Sequence, residues 1–173
     1  MRFAATISGV VLLGCSPTVE HPPVVVLPQP TLTIQEAVIV LHNEHRDTPL
    51  EFDAQLTDAA QSHAEWMAES RRMSHRGKGG SSPGKRISAS GYSWTTYGEN
   101  VADEQQTPDA VMSVWLNSPV HRRNIKSSSY SDIGVGISKD DNGQTYWCVT
   151  FGSKSYNGEE WSGLWATPEW GDE

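Results

Sequence analysis

The sequence predicts an α+β domain in which helices pack against an antiparallel pair of strands. Helical patterns occur between residues 33 and 125, and two strand-like runs joined by a turn signal come after them. Because the helices come first and the strand pair comes later, this order favours α+β packing over a doubly wound parallel sheet. The 173 residues suffice for one such domain with a core of its own.

The first two helices are predicted over residues 33–47 and 53–70. Thr33, followed three residues later by Glu36, fits a capping box, which marks a helix N-terminus. Asp53 is a suitable N-cap for the second helix, because its carboxylate can accept hydrogen bonds from the first free amides. The stripe along the second helix comprises Leu56, Ala60, His63, Ala64 and Met67, which repeat at helical spacing.

Three Ser-Pro or Thr-Pro pairs predict further helix starts, because the first residue can cap a helix and proline suits its first turn. They open a short helix near 83–90, a third main helix from residue 107 to about 116, and a short turn from 118 through 125. The pairs are Ser82-Pro83, Thr107-Pro108 and Ser118-Pro119.

Two strands are predicted towards the end of the domain. Ile133–Ser138 alternates Ile and Val with Gly, and Gln144–Phe151 is rich in the aromatic and β-branched residues that strands prefer. Residues 140–143 between them read Asp-Asp-Asn-Gly, which is a turn signal for a hairpin. We interpret Cys148, inside the second strand, as a buried thiol that packs as a small apolar residue.

Residues 1–15 have the layout of a bacterial signal peptide. Arg2 precedes an apolar run that is too short to span a bilayer and that ends in Leu-Leu-Gly-Cys. This ending resembles a lipobox, in which Cys15 would be lipidated and would anchor the chain to a bacterial membrane. The alternatives are an ordinary signal peptide cut nearby or a buried first strand.

Composition divides the rest of the chain into three segments. Residues 16–31 hold five of the ten prolines, and proline removes amide donors, so we predict an extended tether there. Residues 32–154 form the predicted domain. Residues 155–173 are acidic and carry three tryptophans, which either complete the fold or recognise a ligand such as a sugar ring.

Charge and cysteine content exclude two classes of protein. The net charge is −8, whereas general nucleic-acid binding needs a basic face. Two cysteines are too few for a disulfide framework.

Eight short motifs follow one another between about residues 34 and 153. They are His42-Asn43-x-x-Arg46, Ala-Gln-x-His-Ala-x-Trp-Met-Ala over 60–68, Met73–Gly77, Arg86-Ile87 with Gly91-Tyr92, Gly98–Ala102, Trp115–Ile125, Tyr130–Gly136 and Tyr146–Gly152. In this order they resemble the bacterial branch of the cysteine-rich secretory protein, antigen 5 and pathogenesis-related 1 (CAP) superfamily. We interpret the first motif as structural, with side chains that bond to neighbouring backbone.

The resemblance implies a three-layer αβα sandwich with a small antiparallel sheet between helices and a shallow central cleft. In the eukaryotic branch this cleft holds two histidines and two glutamates. Carried over by motif, His75, Glu99 and His121 match three of these positions, and the fourth falls on Ser118. The sequence therefore departs from the full set, as the bacterial pattern does.

Three interpretations of these cleft residues are open. His75, Glu99 and His121 offer two imidazoles and a carboxylate, which suit Zn²⁺ with a water as fourth ligand. Ser118, His121 and Glu99 instead offer a hydroxyl, a base and an orienting carboxylate for hydrolysis, although a serine before proline suits a helix cap. The third interpretation is a hydrogen-bonded cluster that fixes the packing of the loops.

The distribution of charge predicts an anionic ligand for the same cleft. Nine of the 13 Lys and Arg residues lie in two windows, 71–86 and 122–126, which flank His75 and His121. A positive rim there would favour phosphate head groups, acidic glycans or acidic peptides. The alternative is solvated loops whose arginine stems pack on apolar surface. The rim candidates are Arg76, Lys78, Arg122 and Arg123.

The resemblance and the segment composition together predict an extracytoplasmic, envelope-anchored protein that binds a ligand in a His/Glu cleft. We interpret the protein as a binding or envelope-associated module rather than an enzyme. The resemblance does not decide this point, because the superfamily has no single agreed activity. A metal-assisted or Ser/His hydrolase acting on peptides or envelope material is the alternative.

Overall fold

The computed structural model describes residues 31–154. All but one of these residues belong to the second of the chain's two units, Leu32–Glu173; the first unit is Met1–Thr31. The predicted signal peptide with Cys15, the tether up to residue 30 and the tryptophan-rich tail lie outside the described residues. None of the helices in the described range is long and apolar enough to cross a bilayer.

Helices and strands alternate irregularly along residues 34–154. The helices are α1 (Ile34–Asn43), α2 (Ala54–Ser70), α3 (Pro83–Ala89), α4 (Pro108–Asn117) and α5 (Pro119–Lys126), with a 3₁₀ turn at Lys78–Gly80. The strands are β1 (Glu51–Phe52), β2 (Trp94–Asp103), β3 (Asp132–Lys139) and β4 (Thr145–Lys154).

Four helices begin where the sequence predicts, each capped by the expected side chain. Thr33 forms the predicted capping box at α1, and Asp53 caps α2 through a free amide of the first turn. Ser82 and Thr107 cap α3 and α4 in the same way. Ser118 occupies the N-cap position of α5, but its side chain makes no capping hydrogen bond.

The first helix ends at Asn43 and does not run to residue 47 as predicted. The Asn43 side chain accepts from the Leu50 amide at 2.8 Å and donates to the Leu50 carbonyl at 3.1 Å. Arg46 donates to three carbonyl groups between residues 125 and 130. These bonds confirm the structural role predicted for the motif, and they end the helix because they turn the chain towards the end of α5.

The four strands form one mixed sheet in the order β1-β3-β4-β2. The predicted hairpin is confirmed, since β3 and β4 pair antiparallel and Gly143 in their turn has a φ of 79°. The two-residue strand β1 adds a short parallel pairing with β3 to the antiparallel sheet that was expected.

The sequence patterns predicted neither the short strand β1 nor the long strand β2. Strand β2 pairs antiparallel with β4 from Trp94 to Asp103 and lies at one edge of the sheet. Its centre, Gly98-Glu99-Asn100, is made of residues that strands disfavour. Pairing with β4 supplies hydrogen bonds that override this local preference.

Helices cover both faces of the sheet, which confirms the α+β sandwich. α2 and α3 lie on one face, and α1, α4 and α5 lie on the other. α2 lies so close to β3 that a Cβ on Gly134 or Gly136 would be 2.2 or 2.3 Å from its backbone. On the opposite face Trp115, Trp147 and Phe151 fill the core.

Candidate functional site

The candidate site lies on edge strand β2, where consecutive residues point to opposite faces of the sheet. Glu99 reaches Arg86 of α3, whereas the Asn100 side chain donates to the His121 carbonyl of α5 at 3.2 Å. We call His75, Arg86 and Glu99 the Glu99 half of the site. Asn100, His121 and Asn124 form the His121 half.

Glu99 is buried, and both of its carboxylate oxygens are hydrogen-bonded. Oε1 accepts from His75 Nδ1 at 2.8 Å, and Oε2 accepts from Arg86 Nη2. The Cys148 thiol, which is buried as predicted, donates a weak bond to Oε2 at 3.6 Å. Burial raises the pKa of Glu99, but the His75 hydrogen bond and the Arg86 charge outweigh it and hold the pKa below its ordinary value.

Arg86 joins this carboxylate to the loop that carries His75. Its Nη1 donates to the His75 carbonyl at 3.2 Å and to the Ser81 carbonyl at 3.0 Å. Arg86 lies in a basic window of the sequence and was not predicted to be a site residue. The Arg86-Ile87 motif was the available signal, but a basic residue in a basic window gives no indication of its acidic partner.

His75 presents its ring at the surface of the site. Its side chain is 52% exposed, although the carboxylate it bonds is buried. Because Nδ1 donates to Glu99, Nε2 is the ring atom that remains available to a ligand. The bond also holds the ring in one orientation.

A further histidine lies behind the Glu99 half. His63 is buried on α2, its Nε2 lies 2.7 Å from the Ser74 carbonyl, and its ring stacks on Trp66 at 5.5 Å. Its Nδ1 has no hydrogen-bond partner among the described residues. Burial lowers the pKa of His63, while the Glu99 charge opposes that shift. A Cβ on Gly77 would lie 3.0 Å from this Nδ1, so the glycine permits the close approach of the His75 loop.

The His121 half is held mainly through main-chain carbonyl groups. Asn124 Nδ2 donates to the Glu99 carbonyl at 3.2 Å and to Asn100 Oδ1 at 2.9 Å. The ring of His121 is half-buried, and its Nδ1 has no partner within residues 31–154. Burial lowers the pKa of His121, and the charge of His75 lowers it further.

Side chains of α4, α5 and the loop after α5 cover the outer edge of β2. The carbonyl groups of residues 97, 99 and 101 accept hydrogen bonds from Tyr130 Oη, Asn124 Nδ2 and Trp115 Nε1. Alternate carbonyls of an edge strand face outward, and an uncovered row invites pairing with another chain. These three donors therefore protect the strand that carries the site.

The predicted serine triad is not assembled in the described part of the chain. Glu99 bonds His75 and Arg86, and no hydrogen bond joins it to the His121 ring among residues 31–154. Ser118 lies at the junction of α4 and α5, and in this range its hydroxyl makes no hydrogen bond to His121. Hydrolysis by these three residues remains an untested prediction.

The same residues do not fit a zinc ion. In residues 31–154 no group of three or more His, Cys, Asp and Glu side chains is arranged to hold a metal. The Glu99 carboxylate already pairs with Arg86, whose positive charge opposes a second cation. Zinc binding by His75, Glu99 and His121 is a prediction from the resemblance that this arrangement does not favour, and no step below uses a metal.

The four predicted rim residues are all exposed. Within the described range none of them forms an ion pair with an acidic residue. Arg71, from the same basic window, instead pairs with Asp140 and Asp141. Uncompensated positive charge thus lies beside His75 and His121 in sequence, at Arg76, Lys78, Arg122 and Arg123.

A family model and a curated relative match this chain. The model of the cysteine-rich secretory protein family, CAP, matches residues 40–151. The uncharacterized protein YkwD of Bacillus subtilis (strain 168) is 32% identical over 113 residues, which are 63% of this chain and 44% of that protein. This chain therefore spans less than half the length of that relative.

Two solved structures share the fold. An extracellular protein containing an SCP domain from Bacillus anthracis str. Ames matches with a TM-score of 0.63 and 26% identity, over 69% of this chain and 40% of that one. An outer surface protein from Borrelia burgdorferi matches with a TM-score of 0.62 and 24% identity, over 72% and 97% of the two chains. The second likeness, at this identity, is one of fold alone.

Proposed function

The chain belongs to the cysteine-rich secretory protein (CAP) family, and we propose that it is an extracytoplasmic, envelope-associated module that binds an anionic ligand at the Glu99 half of its site. The observation that carries this proposal is the His75–Glu99–Arg86 network. A buried carboxylate with both oxygens occupied holds a half-exposed imidazole in one orientation. Such a rigid polar group at the surface suits recognition, because little ordering is needed on binding.

The charges near the network support an anionic ligand. Arg76 and Lys78 follow His75 closely in the chain, and Arg122 and Arg123 follow His121. All four are exposed and form no ion pair with a described acid. A cluster of one sign raises the local concentration of ligands of the other sign, even on a protein with net negative charge.

The arrangement supports binding more strongly than hydrolysis. The carboxylate that would orient a catalytic His121 is committed to His75 and Arg86. The solved structures named above are described as extracellular and as an outer surface protein. The first description, of a protein 26% identical to this chain, and the signal-peptide layout support an extracytoplasmic location, and Cys15 is the proposed anchor.

Fluorescence anisotropy with two soluble probes tests the proposal. The probes are a labelled polyglutamate peptide and a labelled short-chain phosphatidylglycerol below its micelle concentration. We expect both probes to bind the wild type, and we expect Arg76→Glu/Arg122→Glu to weaken binding by about tenfold, since each exposed charge contributes up to about 1 kcal/mol. His75→Ala should weaken it as well.

Lys139→Glu is the matched control, because Lys139 is exposed on β3 and its Nζ bonds the Gln106 side chain. Equal binding by the wild type and the double reversal would refute the anionic-ligand proposal. Equal losses in the double reversal and in Lys139→Glu would show a net-charge effect and would refute it too.

Hydrolysis is a second candidate, with one observation in its favour. The pairing of His75 Nδ1 with a buried carboxylate is the arrangement that orients a catalytic base. The base would then be His75 and not His121. Peptide hydrolysis that is lost in His75→Ala and retained in His121→Ala would establish this second function.

A further inference from the structure

We propose that the outer surface of α5 is a docking surface for an anionic lipid bilayer. This surface shares Arg123 with the predicted rim but does not include the His75 ring, and the proposal requires no ligand at the Glu99 half. Its evidence is an exposed apolar residue, two exposed cations on the same stripe, and a rigid attachment of the helix to the sheet.

Residues spaced three apart lie along one side of a helix. Val120, Arg123 and Lys126 have this spacing in α5, and all three are exposed. Val120 is 62% exposed, the highest value among the large hydrophobic side chains of the described range. The opposite side of the helix is used for packing, since Ile125 is buried and Asn124 bonds β2.

The charge of this surface is not compensated locally. No Asp or Glu occurs between residues 110 and 131. Neither Arg123 nor Lys126 forms an ion pair or a side-chain hydrogen bond with any residue in the described range. Their charges are therefore available to a negatively charged surface, and their replacement should leave the packing of α5 unchanged.

Hydrogen bonds also attach α5 firmly to the rest of the domain. Asn124 donates to the Glu99 carbonyl, and Arg46 donates to the Ile125 carbonyl at 2.6 Å and to the Ser127 carbonyl at 2.8 Å. The C-terminal half of α5 is thus fixed to the sheet and to the loop after α1. A surface that is already ordered loses little conformational entropy on docking.

A bilayer fits this surface better than a small soluble anion does. A soluble anion could pair with Arg123 and Lys126, but it would make no favourable apolar contact with the exposed side chain of Val120. An anionic bilayer attracts basic residues through its head groups and accepts an apolar side chain at the boundary with its acyl chains. Val120 beside two cations offers both contributions.

Vesicle co-sedimentation tests the proposal. Every variant begins at residue 16, so that neither the apolar run of residues 1–15 nor an acyl anchor on Cys15 contributes. The vesicles contain phosphatidylcholine alone or phosphatidylcholine with phosphatidylglycerol. We expect binding to the anionic vesicles only, and we expect Arg123→Glu/Lys126→Glu to weaken it by about twentyfold or more, because each cation near such a surface contributes about fivefold.

Val120→Asp should weaken vesicle binding severalfold, whereas Val40→Asp, at an exposed valine of α1, should not. Lys139→Glu is the control for net charge. Circular dichroism melts of each variant confirm that the fold is intact, and Arg123→Gln/Lys126→Gln repeats the test without introducing acids.

Three results would overturn the proposal. The first is equal binding to neutral and anionic vesicles. The second is a loss in Arg123→Glu/Lys126→Glu no larger than that in Lys139→Glu. The third combines two variants. If Val120→Asp binds vesicles like the wild type while the double reversal also weakens the soluble polyglutamate probe, the surface is a general anion site and the bilayer proposal fails. The anionic-ligand proposal for the Glu99 half would survive that result.

Discussion

The two halves of the site differ in how their histidines are held. In the Glu99 half, His75 donates to a buried carboxylate that also pairs with Arg86. In the His121 half, two asparagines bond main-chain carbonyls, and the His121 ring nitrogen Nδ1 has no partner among the described residues. One imidazole is fixed through its ring, whereas the other is positioned only through its backbone.

This difference shows which half of the site is stabilised by side-chain hydrogen bonds. A buried ion pair whose carboxylate has both oxygens hydrogen-bonded is costly to disturb, because removing one partner leaves an uncompensated charge. The His121 Nδ1 is also buried, but among the described residues it has no hydrogen-bond partner. The Glu99 half is therefore held by side-chain hydrogen bonds, whereas the His121 ring has no such bond at Nδ1.

The largest expected effect comes from removing the buried carboxylate. Glu99→Ala leaves the Arg86 guanidinium largely buried without its partner and removes the acceptor of His75. We expect the free energy of unfolding to fall by about 3–5 kcal/mol, which is typical when one partner of a buried pair is removed. Urea denaturation measures it.

The double variant Glu99→Leu/Arg86→Met is the control for this first prediction. It removes both charges, so it should be clearly more stable than Glu99→Ala. If Glu99→Ala lowers the free energy of unfolding by less than about 1 kcal/mol, the His75–Glu99–Arg86 network does not stabilise the fold, and the comparison of the two halves is contradicted.

The second effect concerns acid sensitivity in the core outside the site. His42 is buried against Trp115 and Phe151, and burial lowers its pKa to about 4. In the unfolded chain this histidine has an ordinary pKa of about 6.5. Between about pH 6.5 and pH 4, His42 is therefore protonated in the unfolded chain and neutral in the folded chain. Stability should therefore fall as the pH drops from about 6.5 to 4, by about 3 kcal/mol in total from this residue.

Urea denaturation at a series of pH values between 7 and 4 checks this second prediction. His42→Gln should reduce the slope in that range, whatever its effect on stability at neutral pH. The lowered pKa of Glu99 adds a loss of the same sign, but only as the pH falls further, through the folded pKa of that carboxyl. An unchanged slope in His42→Gln would refute the role of His42.

The third effect compares the two imidazoles directly. His75→Ala removes a hydrogen bond to a charged group, and its half-exposed position limits the expected loss to about 1 kcal/mol. His121→Ala removes a ring with an unpaired nitrogen, so its loss should be within about 0.5 kcal/mol. Thermal melts of the two variants provide the comparison, and the reverse order would invert our assignment of the rigid half.

The smallest effect is expected at Ser118. An N-cap serine usually contributes about 1 kcal/mol, but the Ser118 side chain makes no capping bond to α5. Ser118→Ala should therefore leave both the melting temperature and any hydrolytic activity unchanged. Lost hydrolysis in this variant would restore the serine triad that the sequence suggested, and a loss of about 1 kcal/mol would show an unrecognised cap.

Local features of the fold could be predicted because they depend on residues close together in the chain. The caps at Thr33, Asp53, Ser82 and Thr107 each bond an amide within the first turn. The hairpin between β3 and β4 follows from its Asp-Asp-Asn-Gly turn. The motif order identified the family and, through it, the cleft residues.

Strand β2 and the partners of its central residues depended on the tertiary structure. Gly98-Glu99-Asn100 has little strand preference, and it becomes a strand because β4 pairs with it from about 50 residues away in sequence. The Arg86–Glu99 pair, the unpaired His121 ring and the separation of the site into two halves all follow from that strand lying at the edge of the sheet.

The sequence by itself therefore determined the helix starts, the hairpin and the identity of the histidines and the glutamate in the site. Only the tertiary structure decided which of these side chains meet, because a hydrogen bond between distant residues closes a long loop, and closing the loop costs conformational entropy. Core packing and strand pairing together offset that cost, and neither can be read from a local sequence pattern.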